Sequence, residues 1–252
     1  MASQFYLTLP SNSSMEYFPA NTLTNFKTKL AQPIELTGEW EVALSELQYP
    51  RSWYNLRKGF NSHIYHKRGG QGYFMTSSVP HGYYRSVKEF IGAVNKTLKT
   101  DVNGDIWFTY NQLTRKMTVH VKNKAMLFLT DRFASMVGFD EKELEIAKNT
   151  EAPLPVDLEA GFHAMYLYTD IVEPQLVGDS KVSLLKVVKC SGEFGENVNV
   201  NFPNLQYVPV SVKSFETIEI DIKDDTQEKV PFEFGKVIVT LHFRQRRSPL
   251  FI

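Results

Sequence analysis

The stretch Lys236-Val237-Ile238-Val239-Thr240-Leu241-His242-Phe243-Arg244 has the strongest β-strand propensity in the chain. Its nearly continuous apolar run predicts a strand that is buried on both faces. Just upstream, residues 215–222 alternate strictly between two faces, one of which carries Ile218, Ile220 and Ile222. Two further strands are predicted over 165–168 and 184–190. The C-terminal part of the chain is therefore expected to be β-structure.

The N-terminal part repeats this pattern. Strands are predicted over residues 5–9, 26–30 and 40–47, and they are separated by prolines and a glycine. In the third of these strands, strict alternation places Leu44 and Glu46 on one face and Leu47 on the opposite face.

The middle of the chain has a different pattern. Ser86-Val87-Lys88-Glu89 is a capping box, in which the Ser86 hydroxyl accepts the Glu89 N–H and Glu89 reaches back, and an apolar helical stripe follows it. A second helix is predicted from Asp131 to Val137, capped by Thr130 and ended by Gly138. A hairpin is predicted between them, with strands over 106–110 and 116–121.

Strands on both flanks of a mixed segment indicate one interrupted β-domain rather than two domains in series. We predict a β-sandwich or jelly-roll domain formed by residues 1–56 and 158–252, and an inserted α+β segment formed by residues 57–157.

The composition supports a folded protein. The chain has 252 residues, 42% of them hydrophobic, and its formal net charge is zero. The first half carries 15 basic and 8 acidic residues, and the second half carries 13 and 20. Separate surfaces of opposite charge would suit head-to-tail self-association, whereas a fold that interleaves the two halves would cancel the difference. We favour the second alternative.

The number of cysteines and the hydropathy of the chain bear on its cellular location and on the cross-links it can form. Cys190 is the single cysteine, so no internal disulfide and no cysteine-based metal cluster can form, and we expect it to be a buried or half-buried strand residue. No secretory signal pattern and no membrane-spanning apolar run is present. The sequence predicts a soluble protein that is not secreted by a signal peptide and that has no membrane partner.

No catalytic motif is found. Gly69-Gly70-Gln71-Gly72 falls short of a dinucleotide-binding fingerprint, and residues 101–105 lack the spacing of a calcium loop. His63 and His66 would point to opposite faces of a strand, which disfavours shared metal ligation. We therefore predict no enzyme activity, no cofactor and no metal site. A cupin-like enzyme is the weakest alternative, because no cluster of His and carboxylate ligands is visible.

The chain ends suggest contacts with other molecules. Arg244, Arg246 and Arg247 form a basic C-terminal segment, which we interpret as a candidate assembly arm or, at most, a contact for nucleic acid, and residues 1–4 form a second candidate arm. Simple fraying of both termini is the alternative. The 33 aromatic residues suggest buried subunit interfaces.

Several stretches together resemble one protein family, the minor capsid (penton) proteins of Polinton/Maverick elements, which are large self-synthesising DNA transposons related to virophages. The resemblance is spread over most of the chain and is densest at its ends. It rests on Phe5-Tyr6-Leu7-Thr8-Leu9-Pro10-Ser11-Asn12-Ser13-Ser14, Tyr17-Phe18-Pro19-Ala20-Asn21-Thr22, Gly38-Glu39-Trp40-Glu41-Val42-Ala43-Leu44, Trp53-Tyr54-Asn55, Val172-Glu173-Pro174-Gln175-Leu176-Val177-Gly178-Asp179, Phe215-Glu216-Thr217-Ile218-Glu219-Ile220, Val230-Pro231-Phe232-Glu233-Phe234-Gly235-Lys236-Val237 and Thr240-Leu241-His242-Phe243-Arg244.

The resemblance implies a single jelly-roll of about eight strands that forms homopentamers at the fivefold vertices of an icosahedral capsid, beside a double jelly-roll major capsid protein. It implies a location in the virion capsid and transfers no site residue. The alternative is a binding module of the same fold, whose insertion recognises a glycan or a host protein through the aromatic-rich region from Tyr73 to Tyr84.

Overall fold

The computed structural model describes residues 3–58, 62–102, 104–139, 143–159 and 162–246. The chain divides into two compact units. Unit 1 comprises residues 1–53 and 162–252, and unit 2 comprises residues 54–161. Most of the regular structure is β-strand, as the sequence predicts.

The elements in chain order are β1 (Gln4–Pro10), β2 (Asn25–Glu35), β3 (Trp40–Pro50), β4 (His63–Lys67), β5 (Met75–Ser78), α1 (Val87–Val102), β6 (Ile106–Asn111), β7 (Lys116–Val121), β8 (Met126–Thr130), α2 (Asp131–Met136), β9 (Glu143–Ile146), β10 (Thr150–Pro155), β11 (Ala164–Thr169), β12 (Gln175–Val177), β13 (Ser180–Val182), β14 (Leu184–Lys189), β15 (Asn197–Asn201), β16 (Val208–Pro209), β17 (Ser214–Lys223) and β18 (Ile238–Gln245). Each strand that the sequence predicts is present.

Unit 1 is a jelly-roll built on two antiparallel sheets. The first sheet has the order β1-β18-β3-β15, with β16 also paired to β3, and the second has the order β14-β11-β17-β2. Successive long strands mostly pass from one sheet to the other, which is the strand exchange of a jelly-roll. The predicted fold class is confirmed. In the first sheet, strands from the two halves of the sequence alternate, so the halves do not form separate surfaces there.

The core of unit 1 lies between the inner faces of the two sheets. Val239, Leu241 and Phe243 of β18 are completely buried in it. On the opposite face of β18, His242 is buried but Thr240 is only half-buried. The predicted burial of this strand on both faces therefore holds at His242 and not along its whole length.

A β-bulge at Ser45 corrects the predicted alternation of β3. Glu46 lies opposite Thr240 and Leu44 lies opposite Leu241, so Ser45 is the extra residue. Its hydroxyl donates a hydrogen bond to the Thr240 carbonyl at 2.9 Å. Because the bulge shifts the pleat by one residue, Leu44 and Leu47 both enter the core and Glu46 does not. The prediction that Leu44 shares one face with Glu46 and lies opposite Leu47 was wrong.

Unit 2 has its own hydrophobic core. Two sheets, with the orders β10-β7-β6 and β5-β4-β8-β9, and helices α1 and α2 surround it. The Glu89 N–H donates to the Ser86 hydroxyl at 3.2 Å, as predicted, but the Glu89 carboxylate accepts from the N–H of Arg85 rather than from that of Ser86. Helix α2 ends one residue earlier than predicted.

The proposed domain boundaries remain a prediction about independent folding. Leu56 is completely buried in the core of unit 2, and Leu158 packs against the same core. We expect a fragment of residues 54–161 to unfold cooperatively by circular dichroism. A fragment of residues 57–157 lacks both leucines and should be less stable by about 2–5 kcal/mol or more, which is the usual cost of losing one buried leucine side chain. Non-cooperative melting of the longer fragment would contradict independent folding.

Gly138, which follows α2, offers a sharper test of the packing in unit 2. Its φ is +90°, and a Cβ there would collide with the carbonyl oxygen of Leu154. Gly104 has a similar φ of +76° but open space around it. We expect Gly104→Ala to cost about 1–2 kcal/mol, the price of the left-handed conformation alone, and Gly138→Ala to cost clearly more. Equal losses in urea-unfolding free energy would show that the collision is relieved without cost.

Candidate functional site

The C-terminal end of β18 holds the described part of the predicted assembly arm. A polar groove of about 660 Å³ lies there, lined by Ser3, Gln4, Glu41, Arg244, Gln245 and Arg246. Arg244 lies within the strand opposite Gln4, and the Arg246 N–H donates to the Glu39 carbonyl at 2.8 Å. Arg247 lies outside the described residues. The proposed role of these arginines in assembly stays a prediction.

The Arg244 guanidinium is engaged within its own chain. Its Nε donates to Oε1 of Glu41, and its Cζ lies 3.5 Å from the ring centroid of Tyr207. Ion pairing and cation–π stacking hold the charge flat against the outer face of the first sheet. These contacts hold Arg244 on the surface of the sheet, where its side chain stays partly exposed.

His242 continues this polar cluster into a buried position. It is 5% exposed, its Nδ1 lies 2.6 Å from the Tyr207 hydroxyl, and its ring centroid lies 4.4 Å from that of Tyr6. Its Nε2 has no hydrogen-bond partner among the described residues. Burial, followed by the charge of Arg244, lowers the pKa of His242 below its ordinary value. The imidazole is therefore neutral at pH 7 and acts as a packed, hydrogen-bonded support for the surface ring of Tyr6.

A carboxylate cluster lies on the second sheet. Asp170, Glu219 and Asp221 line a pocket of about 220 Å³. Burial raises the pKa of Asp170. Burial also acts to raise the pKa of Glu219, but hydrogen bonds from Asn25 and Lys27 and nearby positive charges outweigh it and lower the pKa.

Lysines neutralise much of this charge. Lys27 lies 3.1 Å from Glu219, and Lys223 lies 3.1 Å from Asp221. Within the described ranges no group of three His, Cys, Asp or Glu side chains could hold a metal ion. The pocket is a solvated, largely balanced surface feature.

A serine–histidine pair, which sequence reasoning missed, lies in unit 2. Nε2 of His66 contacts the Ser77 hydroxyl across the β4–β5 pairing, and both residues are almost completely buried. Serine and histidine in contact form the core of a nucleophilic site, but this pair is sealed in the protein interior. The strand pairing that joins the two residues leaves no local signal in the sequence.

The structure also locates the other residues that the sequence analysis considered for binding or catalysis. Residues 69–72 form the turn region between β4 and β5. His63 and His66 lie on opposite faces of β4, as predicted. Cys190 follows β14, is half-buried and packs against the core of unit 1. Tyr73 is 65% exposed, as the alternative of a recognition surface requires. No helix in the described ranges has the length and apolarity needed to cross a membrane.

Comparison with known proteins shows the fold. No protein-family model and no curated protein matches the chain. The crystal structure of the selenomethionine-labelled mavirus penton protein is similar, with a TM-score of 0.51 and 13% identity over 96% of this chain and 100% of that chain. A chain of the Sputnik virophage structure, determined by cryo-electron microscopy at 3.5 Å, is similar with a TM-score of 0.50 and 10% identity, over 97% of this chain and 98% of that chain.

Acidification should weaken the folded state through His242. Because its pKa is lower in the folded chain than the ordinary value of about 6.5, the unfolded chain binds the proton more readily. The free energy of unfolding therefore falls as the pH drops below about 6.5 and through the folded pKa. His242→Phe keeps a ring beneath Tyr6 and removes this titration. We expect urea unfolding to show a smaller loss of stability between pH 7.5 and pH 5 in this variant than in the wild type.

The control is His81→Phe, which makes the same substitution at a solvent-exposed histidine and shows how far a histidine-to-phenylalanine change alters unfolding by itself. An identical pH dependence in His242→Phe and the wild type would contradict the contribution of His242.

Proposed function

We propose that the protein is a penton-type minor capsid subunit, which forms homopentamers at the fivefold vertices of an icosahedral capsid. The observation that carries this proposal is the jelly-roll of unit 1, together with a likeness to the mavirus penton protein that extends over nearly the whole of both chains. The sequence resemblance to Polinton/Maverick penton proteins supports the same assignment independently. The neighbouring lattice protein would be a double jelly-roll major capsid protein.

The surface chemistry supports a structural role. The ionisable clusters described above are either neutralised by neighbouring charges or buried, and the His242 cluster supports an exposed tyrosine rather than a substrate pocket. A fivefold ring needs heterologous contacts, in which one face of a subunit meets a different face of the next. Such interfaces require extended surfaces on a rigid sandwich, and unit 1 supplies them.

The alternative function is a jelly-roll binding module in which unit 2 recognises a glycan or a host protein. The exposure of Tyr73, beside Phe74 and Lys67, is the observation that favours it. Stacking of a sugar on an exposed tyrosine ring would not require assembly. The two functions are compatible, because a capsid vertex can also carry a recognition surface.

Light scattering coupled to size-exclusion chromatography tests the proposal. We expect a discrete species of five times the 29.0 kDa chain mass. If the arm arginines contribute, replacing Arg246 and Arg247 with alanine should weaken assembly without changing the melting temperature. A stable monomer that also fails to join particles formed by a co-expressed major capsid protein would overturn the capsid assignment and leave the binding module.

A further inference from the structure

The two main sheets of unit 1 end in four long edge strands, β1 and β15 in the first sheet and β14 and β2 in the second. The two-residue β16 lies beside β3 on the same side as β15, and β12 and β13 form a separate two-stranded sheet. An open edge presents unpaired N–H and C=O groups to any extended chain nearby. Proteins that do not use such an edge usually cap it, charge it or keep it short. The four edges of unit 1 differ in this respect.

The first part of the β2 edge, residues 25–29, is capped by the preceding loop. The Asn21 side chain donates to the Lys27 carbonyl at 2.9 Å and accepts the Lys27 N–H at 2.9 Å, so it imitates a neighbouring strand. The Ser14 hydroxyl accepts the Lys29 N–H at 2.9 Å, and the Thr22 hydroxyl accepts the Asn25 N–H at 3.0 Å. Three successive outward N–H groups are therefore satisfied within the chain.

The edges of β14 and β15 are protected by composition. Strand β14 carries Lys186 and Lys189, and charged lysines discourage the addition of a strand. Strand β15 has only five residues, three of which are asparagines with low β-propensity.

The edge of β1 has none of these protections. Gln245 N–H donates to the Ser3 carbonyl and Ser11 N–H donates to the Val237 carbonyl, which fixes the odd-numbered residues as those bonded to β18. The N–H groups of Gln4, Tyr6 and Thr8 therefore point away from the sheet, and no partner for them lies among the described residues. The strand carries no charged side chain, and Pro10, which has no N–H, takes the next outward position.

An apolar groove lies beside this edge. It has a volume of about 440 Å³ and runs between the two edge strands, with Phe5 of β1 on one side and Pro33 and Ile34 of β2 on the other. Leu36 and Trp40 complete its apolar lining, and Glu35 adds a carboxylate. A strand added to β1 would therefore find backbone partners at its edge and space for apolar side chains next to it.

We propose that the edge of β1 and this apolar groove receive the C-terminal tail of a second copy of the chain. The tail, residues 247–252, reads Arg-Ser-Pro-Leu-Phe-Ile and ends in three large apolar residues. Strand addition gives affinity through backbone hydrogen bonds, and the apolar side chains give specificity. Glu35 offers a partner to the arginines that precede the apolar residues.

The position of Arg246 favours a second copy over the same chain. The tail leaves β18 beside Gln4, whereas the open edge lies on the far side of β1, about 9–10 Å away across two strand spacings. Crossing the end of β1 would use about three residues at about 3.3 Å each. Too few of residues 247–252 would then remain to pair along residues 4–8. A tail from a neighbour has no such crossing to make.

This inference rests on the proposed function, because it supplies the contact that a ring of identical subunits requires. Donor tail and acceptor edge are different surfaces of one chain, so each subunit gives one contact and receives another. Such a heterologous contact closes into a ring when the rotation between subunits permits it.

Peptide binding tests the acceptor edge directly. The protein is a chain truncated after Arg246, and the probe is a fluorescent peptide of residues 246–252. We expect binding by fluorescence anisotropy, and a loss of roughly tenfold with Thr8→Pro, which removes one outward N–H and leaves the bonds to β18 intact. The matched control Thr8→Val keeps the N–H and should bind like the wild type. A peptide with Phe251→Asp should bind weakly, and it tests the groove without altering the protein.

Absence of peptide binding, or equal binding by Thr8→Pro and Thr8→Val, would overturn the proposal. A third outcome is also informative: the full-length protein is monomeric and does not bind the peptide, but the truncated chain binds it. This result would place the tail on its own chain and would overturn the role of the second copy.

Mixing two variants tests the donor tail and the acceptor edge separately. The truncated chain has an edge but no tail, and full-length Thr8→Pro has a tail but a weakened edge. The truncated chain alone should be monomeric, and full-length Thr8→Pro alone should associate roughly tenfold more weakly than the wild type. At a concentration where both are monomeric, an equimolar mixture should give a dimer of mixed composition by light scattering. A truncated chain that still forms the wild-type pentamer would overturn this proposal and leave the penton assignment intact. A wild-type chain that is monomeric but itself binds the added peptide would instead overturn the homopentamer and support the edge site.

Discussion

The structure of unit 1 depends on one long-range pairing, in which the last strand, β18, lies hydrogen-bonded between β1 and β3. Gln4 pairs with Arg244 across almost the whole length of the chain. The three core side chains of β18, Val239, Leu241 and Phe243, are completely buried only when this pairing forms. Closing so long a loop costs chain entropy, which the buried apolar surface must offset. The stability of the first sheet therefore depends on the apolar surface that this pairing buries.

The same pairing determines which surfaces unit 1 exposes. Because β18 occupies one side of β1, the other side of β1 becomes an edge of the sandwich. On the outer face, β18 brings Arg244 and His242 beside Tyr207, where stacking and a hydrogen bond hold them in place. For a capsid subunit, which is our proposal, distributed contact surfaces take the place of a single active site.

Much of the local structure was predictable, and the failures have identifiable causes. Period-two alternation located the long strands, and Ser86 and Glu89 located the start of α1. Alternation failed within β3, because the bulge at Ser45 depends on its hydrogen bond to Thr240 in another strand. The Ser86–Glu89 motif correctly predicted the bond from the Glu89 N–H to the Ser86 hydroxyl. The Glu89 carboxylate, however, accepts the N–H of Arg85, because the position of the side chain and not the motif determines its partner. The caps of the β2 edge by Asn21 and Ser14 were also unpredicted, since loop residues near a strand reveal no geometry.

By itself, the sequence determined the positions of the long strands and of both helices, the β-rich flanks around a mixed segment and the lack of a recognisable catalytic motif, because these follow from local periodicity and from residue chemistry. Only the tertiary structure decided which strands neighbour one another, where the pleat shifts, and that the histidines at 66 and 242 are buried beside hydroxyl groups. It also decided that one strand edge is capped while another is open. The physical reason is that sheet order and edge exposure arise from pairings between residues tens to hundreds of positions apart, and such pairings leave no periodic trace in either partner.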